Sequence, residues 1–407
     1  MLAKDFSDTD KVLPPQSDAS QGGEIGRRFR GFNVAAHGLR GLASAMVLLA
    51  HIFGGTARHI YPHDAAYVRA VEHPWNFGTF SVEVFFVISG FVILPSALKY
   101  DSGQFALRRL LRIYPLFVTL SILFILLNSV TNAYPGINNV RSVVSGLLFI
   151  NLFTGTEQLT PNAWSLTYEA CFYVLTGLIV AFAVRRRHVW AAGLAIAAAL
   201  AFLAWFPITV FFLIGVAMRL WAPILSSATS RTRTVEALSL VSLIWFASRA
   251  HFDYTLWSQF GTWIVPGILV SITIFFFTAL MKDSLTARAL GGRFFRYLGD
   301  ISYSLYLVHP FTYYLLRMVF AHYGWFTQNV ALSMTCFAGT VVATSFVVTH
   351  FVHATLERWP YEAFFRQNVY RQKGAAEPAP ASPTSGVTLA GYGSGGLERV
   401  KGIEPSS

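Results

Sequence analysis

The chain has 407 residues, of which 54% are hydrophobic and only 13% charged, against about 25% charged in a soluble domain. With a mean hydropathy of +0.50, this excludes an ordinary soluble enzyme, a disordered protein and a disulfide scaffold. A net charge of +11 would suggest a polyanionic partner for a soluble protein. Here the cations fall between apolar runs, the pattern of membrane topology, and no nucleic-acid partner is expected.

Residues 1–33 are polar, place Arg27, Arg28 and Arg30 directly before the first apolar run and lack a small-residue cleavage site. They are expected as a cytoplasmic N-terminal segment rather than a signal peptide. A bilayer crossing needs about 20 mainly apolar residues. Ten runs fit that length: 37–55, 79–98, 113–130, 163–184, 189–205, 207–222, 235–250, 260–281, 299–320 and 328–353. The predicted fold class is all-α, a polytopic integral membrane helical bundle of about ten transmembrane helices within residues 34–360.

A further run, 142–153, is too short to cross and reads as re-entrant or interfacial. Charge supports that reading. With the N-terminus in the cytoplasm and 142–153 not crossing, 25 of the 31 Lys and Arg residues fall inside and five outside, with Arg40 within the first span. The positive-inside rule favours this arrangement, with both termini cytoplasmic. Residues 361–407 are rich in Ala, Pro, Ser and Gly and are expected as a disordered cytoplasmic tail. Its end, GLERVKGIEPSS, looks like the product of a reading frame running into an adjacent gene, and no function is assigned to it.

Ionisable residues within spans are costly and point to function. Arg40 and His51 in the first span are 11 residues apart, so they share one helix face about 16 Å apart along the axis. A snorkelling Arg and a His bonded to a backbone carbonyl would give the same pattern. Glu83, in FSVEVFFVISGF, enters the second span from the outer side at the depth of His51. It is the natural partner to orient that imidazole and raise its basicity. Arg109 and Arg112 open the third span on one face, and paired guanidiniums suit phosphate; plain topological anchoring is the alternative. Ser165, Glu169 and Tyr173 form a polar stripe on the fourth span, and Ser302, Tyr306 and His309 another on the ninth. Interhelical hydrogen bonding is the plainer account of such stripes. The other histidines show no metal-binding spacing, and no metal is expected.

Together, Arg40 with His51, SVEVFFVISGF, RRLLRIYP, NAWSLTYEACFY and LGDISYSLYLVHP resemble the membrane-bound acyltransferase-3 family, in family order over about residues 33–360. The resemblance implies transfer of an acyl group, usually acetyl, from cytoplasmic acyl-CoA to a hydroxyl of an extracytoplasmic or lipid-linked glycan, at the bacterial inner membrane. Acyl-CoA is then a co-substrate, and no cofactor is bound. By motif match Arg40, Arg109 and Arg112 would bind the donor, and His51 with Glu83 would carry the chemistry. Trp164, Glu169, Ser302, Tyr306 and His309 would line the acceptor side or support it. The alternative is a proton-coupled secondary transporter using a His51–Glu83 relay.

Overall fold

A computed structural model describes residues 32–132, 134–250 and 256–365. Most of the expected N-terminal segment and of the tail lies outside the described residues. Asn33 starts α1 (Val34–His59) by accepting the N–H of Ala36, one of the donors a helix start leaves open. There follow α2 (Ala65–Thr79), α3 (Ser81–Lys99), α4 (Ser102–Thr131), α5 (Val140–Leu147), α6 (Ala163–Ile179), α7 (Val189–Trp205), α8 (Val210–Trp221), α9 (Ser230–Ala247), α10 (Ile264–Ala279), α11 (Arg293–His322) and α12 (Val330–Val352). A π-helical turn extends α6 to Arg185, and another follows α12 over His353–Arg358. Among the described residues the fold is all-α, apart from an isolated bridge between Ser227 and Lys282.

Each of the ten expected runs is helical, but the count of ten crossings is not met by length and apolarity. Five helices satisfy both: α1, Ala65–Lys99 (α2 with α3), α4, Ala163–Arg185 and Val330–Phe365. Val189–Trp205 and Pro207–Trp221, bent by 118° at their junction, add a sixth if they form one span. The shortfall has a physical cause. In α11, Ser302, Ser304 and His309 lower the hydropathy, yet all three are fully buried, so the polar groups face protein. α10 has 16 residues, about 24 Å of helix, short of a hydrocarbon core of about 30 Å. The 142–153 run holds α5, eight residues long, or about 12 Å, which is too short to cross.

Two glycine crossings position the functional residues. A Cβ on Gly41 of α1 would lie 2.6 Å from the Gly299 nitrogen of α11, so these helices touch backbone to backbone, as small residues allow in membranes. They run parallel: His37 meets Asp300 at one end, and His51 meets His309 farther along. α3 and α8 cross the same way, where a Cβ on Gly215 would lie 1.9 Å from the Val87 carbonyl oxygen. Phe212 stacks on Phe86 and on Phe172, centroids 4.3 and 4.4 Å apart. That stack joins α3, α6 and α8 into one wall.

Candidate functional site

A cavity of about 680 Å³, including its mouth, lies between α1, α3, α4, α6 and α11. Arg40, Arg109 and Arg112 line one end. Arg40 Nη2 donates to the Gly299 carbonyl at 2.6 Å. Arg109 Nη2 donates to Ser96 Oγ at 2.6 Å, and its guanidinium stands 5.4 Å from the Tyr173 ring centre. The Nε of Arg40 and the Nε of Arg109 are buried with no hydrogen-bond partner among the described residues. Buried donors left open in this way are uncommon and call for a ligand or water. Glu169 is the one carboxylate in the wall; it accepts from Ser89 Oγ at 2.5 Å and from the Tyr173 hydroxyl. Three guanidiniums thus stand with one carboxylate in the lining, while Glu357 lies within Coulombic reach of Arg40 and Arg112; guanidinium geometry favours phosphate or carboxylate oxygens.

The cavity wall on α3 runs from Ile93 to Val82, about 16 Å along the helix. Phe85, Ser165 and Tyr306 line it toward its far end. The Tyr306 hydroxyl shares a hydrogen bond with Ser165 Oγ at 2.8 Å, and its ring meets Phe85 with centroids 5.5 Å apart. One helical turn beyond Tyr306 stands His309, fully buried, with its ring 5.1 Å from that of His51. Neither imidazole is among the residues that line the cavity; His309 stands beside Tyr306, and the Trp75 ring lies 5.6 Å from that of His51.

His51 Nδ1 is 2.8 Å from the Val47 carbonyl. A carbonyl only accepts, so Nδ1 carries the hydrogen and Nε2 carries the lone pair. The plainer expectation, a carbonyl-bonded His, is thus met at one nitrogen, while the other keeps a base's lone pair. The ring is oriented from within its own helix, by Val47, the role expected of Glu83. Glu83 itself is 4% exposed on α3, within Coulombic reach of Tyr306.

The structure brings Arg40, Arg109, Arg112, Glu169, Ser302 and Tyr306 to one cavity and sets His309 beside His51. Ser302 donates to the Gly299 carbonyl at 2.8 Å, the same oxygen that binds Arg40. Trp164 does not line the cavity; its ring lies edge-on to Tyr168. Sequence reasoning missed Ser96, Phe85 and Asn162. Asn162 had a legible signal in Pro310, since a proline inside a helix opens the carbonyl four residues earlier. No group of three or more His, Cys, Asp or Glu residues that could hold a metal occurs among the described residues.

Residues 33–350 match a family described as an acyltransferase domain. Over 172 residues the chain is 33% identical to the acyltransferase MdmB of Streptomyces mycarofaciens, covering 39% of this chain and 43% of that protein. Over 123 residues it is 30% identical to an uncharacterized protein of Haemophilus influenzae, covering 26% of this chain and 50% of that one. The chain thus spans half or less of the length of these curated relatives. No solved structure matches it.

Proposed function

The chain belongs to the acyltransferase-3 family, and we propose that this integral membrane enzyme transfers an acyl group, acetyl in the first instance, from acyl-CoA to a hydroxyl of an extracytoplasmic or lipid-linked glycan. The observation that carries the donor reading is the convergence of Arg40, Arg109 and Arg112 on one cavity, with two buried Nε donors still open. A nucleotide-linked donor brings the phosphates such a cluster suits. Its pantetheine arm would lie along the α3 wall from Ile93 and bring the thioester to Phe85 and Tyr306, about 12 Å farther along.

Transfer then asks little of the protein beyond position and a proton path. His51 Nε2 takes the proton of the acceptor hydroxyl as that oxygen attacks the thioester carbonyl. The C–S bond breaks, and the imidazolium returns the proton to the leaving thiolate, so His51 ends as it began. Glu83 would stabilise the transient imidazolium. The site lies in the bacterial inner membrane with both termini cytoplasmic, so donor phosphates enter from the side richer in cations.

The test is the purified protein in lipid nanodiscs with acetyl-CoA labelled in the acetyl group and a glycan extract as acceptor. Label should move to the glycan in alkali-labile ester linkage. Transfer from a non-nucleotide acyl carrier, with none from acetyl-CoA, would overturn the donor assignment.

A further inference from the structure

Pro310 lies inside α11. In an unbroken helix the N–H of residue 310 would donate to the carbonyl of Tyr306, and proline has no N–H. That carbonyl sits in the protein interior, where an open acceptor is costly. It accepts instead from Asn162 Nδ2 at 2.6 Å. Asn162 occupies the N-cap position of α6 but makes no side-chain cap bond there. Asn normally caps its own helix at this position. Here the amide is directed across to α11.

The same amide nitrogen has a second hydrogen, and it faces His309 Nε2 at 3.5 Å, long for a hydrogen bond. His309 Nδ1 is 3.0 Å from the Leu305 carbonyl, so that nitrogen donates and Nε2 holds the lone pair. Each histidine of the pair is thus tied by Nδ1 to the carbonyl four residues back on its own helix. They differ at Nε2: that of His309 is covered by Asn162, whereas His51 makes no second hydrogen bond among the described residues.

We propose that Asn162 is a positioning residue for the two-histidine centre: it closes the helix gap left by Pro310 and, with the same amide, holds His309 against His51 with its lone pair occupied. Only His51 is then free to take a proton from the acceptor. This rests on the reading of His51 as the base and adds the reason why the neighbouring imidazole does not compete.

Pro310 makes the two duties of Asn162 separable. In Asn162→Ala both are lost. In Asn162→Ala/Pro310→Ala the restored N–H of residue 310 refills the Tyr306 carbonyl, but nothing returns to His309 Nε2. For the full chain in nanodiscs, Asn162→Ala should lower Tm and lower kcat between about 10- and 100-fold, as expected for a misplaced reacting group, with donor KM within about twofold. The double variant should recover Tm and keep the low kcat. Recovery of kcat together with Tm would overturn the proposal and leave Asn162 as a backbone plug.

Nitrogen-15 spectra of histidine-labelled protein provide a readout independent of catalysis. Wild type should show His309 in the Nδ1–H form with its Nε2 resonance displaced by the Asn162 amide. The double variant should keep that tautomer, held by Leu305, with the Nε2 resonance moved to that of an imine nitrogen without a donor. An unchanged His309 signal would overturn the proposal even if the protein transferred no acyl group. Absent transfer with a changed signal would instead fault the proposed function.

Discussion

Arg40 of α1 and Ser302 of α11 donate to the same acceptor, the Gly299 carbonyl, at 2.6 and 2.8 Å. The shared oxygen pins the guanidinium at the point where the two helices touch. A Cβ on Gly41, the next residue, would stand 2.6 Å from the Gly299 nitrogen. Gly41→Ala must therefore push α1 away from α11, at about 1–3 kcal/mol for overpacking. Thermal unfolding in detergent should show a lower Tm, and donor KM should rise because Arg40 moves with its helix. A fall in Tm with KM unchanged would remove Arg40 from the donor site.

The two arginines of α4 give a second test, because both line the cavity and removing them creates no helix-helix clash. Arg109→Ala/Arg112→Ala should raise donor KM or Kd at least about 10-fold, since a hydrogen bond to a charged group contributes about 1.5–3 kcal/mol and 1.4 kcal/mol is tenfold. Tm should fall modestly, because the Arg109–Ser96 bond between α4 and α3 is lost, so binding is compared on folded protein. Isothermal titration with acyl-CoA measures it directly, and wild-type affinity in the double variant would return both residues to topological anchoring.

Phe85 bears on chain length. Its ring meets that of Tyr306 in the cavity lining, one turn short of His309, and would limit the room for an acyl chain there. Phe85→Ala should shift the preference toward longer acyl donors, measured as the ratio of kcat/KM for hexanoyl over acetyl donors. Each buried methylene contributes about 0.8 kcal/mol, so the ratio should move by roughly 10-fold or more. An unchanged ratio would mean that Phe85 does not limit the acyl end.

Topology follows from helix direction as well as charge. α1 with α11 and α3 with α8 run parallel, the directions that the expected order of ten crossings would give each pair. Reporter fusions at Arg186 should report cytoplasm and at Tyr134 the outside. Arg186 on the outer side would mean that 142–153 crosses, against the 12 Å length of α5.

Helix positions were legible as apolar runs of bilayer length, and the polar stripes as polar residues three or four apart within them. The number of crossings was less so. In α11 the buried Ser302, Ser304 and His309 make a protein-facing helix look too polar to cross, while α10 is apolar but short. Arg40, Arg109 and Arg112 announced themselves as charges in or beside apolar runs. Their convergence with Glu169 depends on the Gly41–Gly299 and Gly90–Gly215 crossings, which no spacing within one helix encodes. Asn162 escaped notice for another reason: its task is set by Pro310, almost 150 residues away in sequence.

His51 carries the sharpest prediction. Its Nδ1 is committed to the Val47 carbonyl, so only Nε2 can act as a base, and removing the ring removes that lone pair. His51→Ala should lower kcat by about 10²–10⁴-fold, the usual contribution of general-base catalysis. Donor affinity should stay near wild type, because His51 lies 11 residues beyond Arg40, about 16 Å along α1. His51→Gln should be equally inactive, since an amide has no comparable base. Glu83→Gln should cost less, because Val47 still orients the ring and only the carboxylate support proposed for an imidazolium is lost. Acyl transfer and donor binding measured on the same purified variants decide between roles. Wild-type transfer by His51→Ala would defeat the mechanism. Loss of donor binding along with transfer would make His51 a packing residue, held in place by His309 and Trp75 rather than acting beside them.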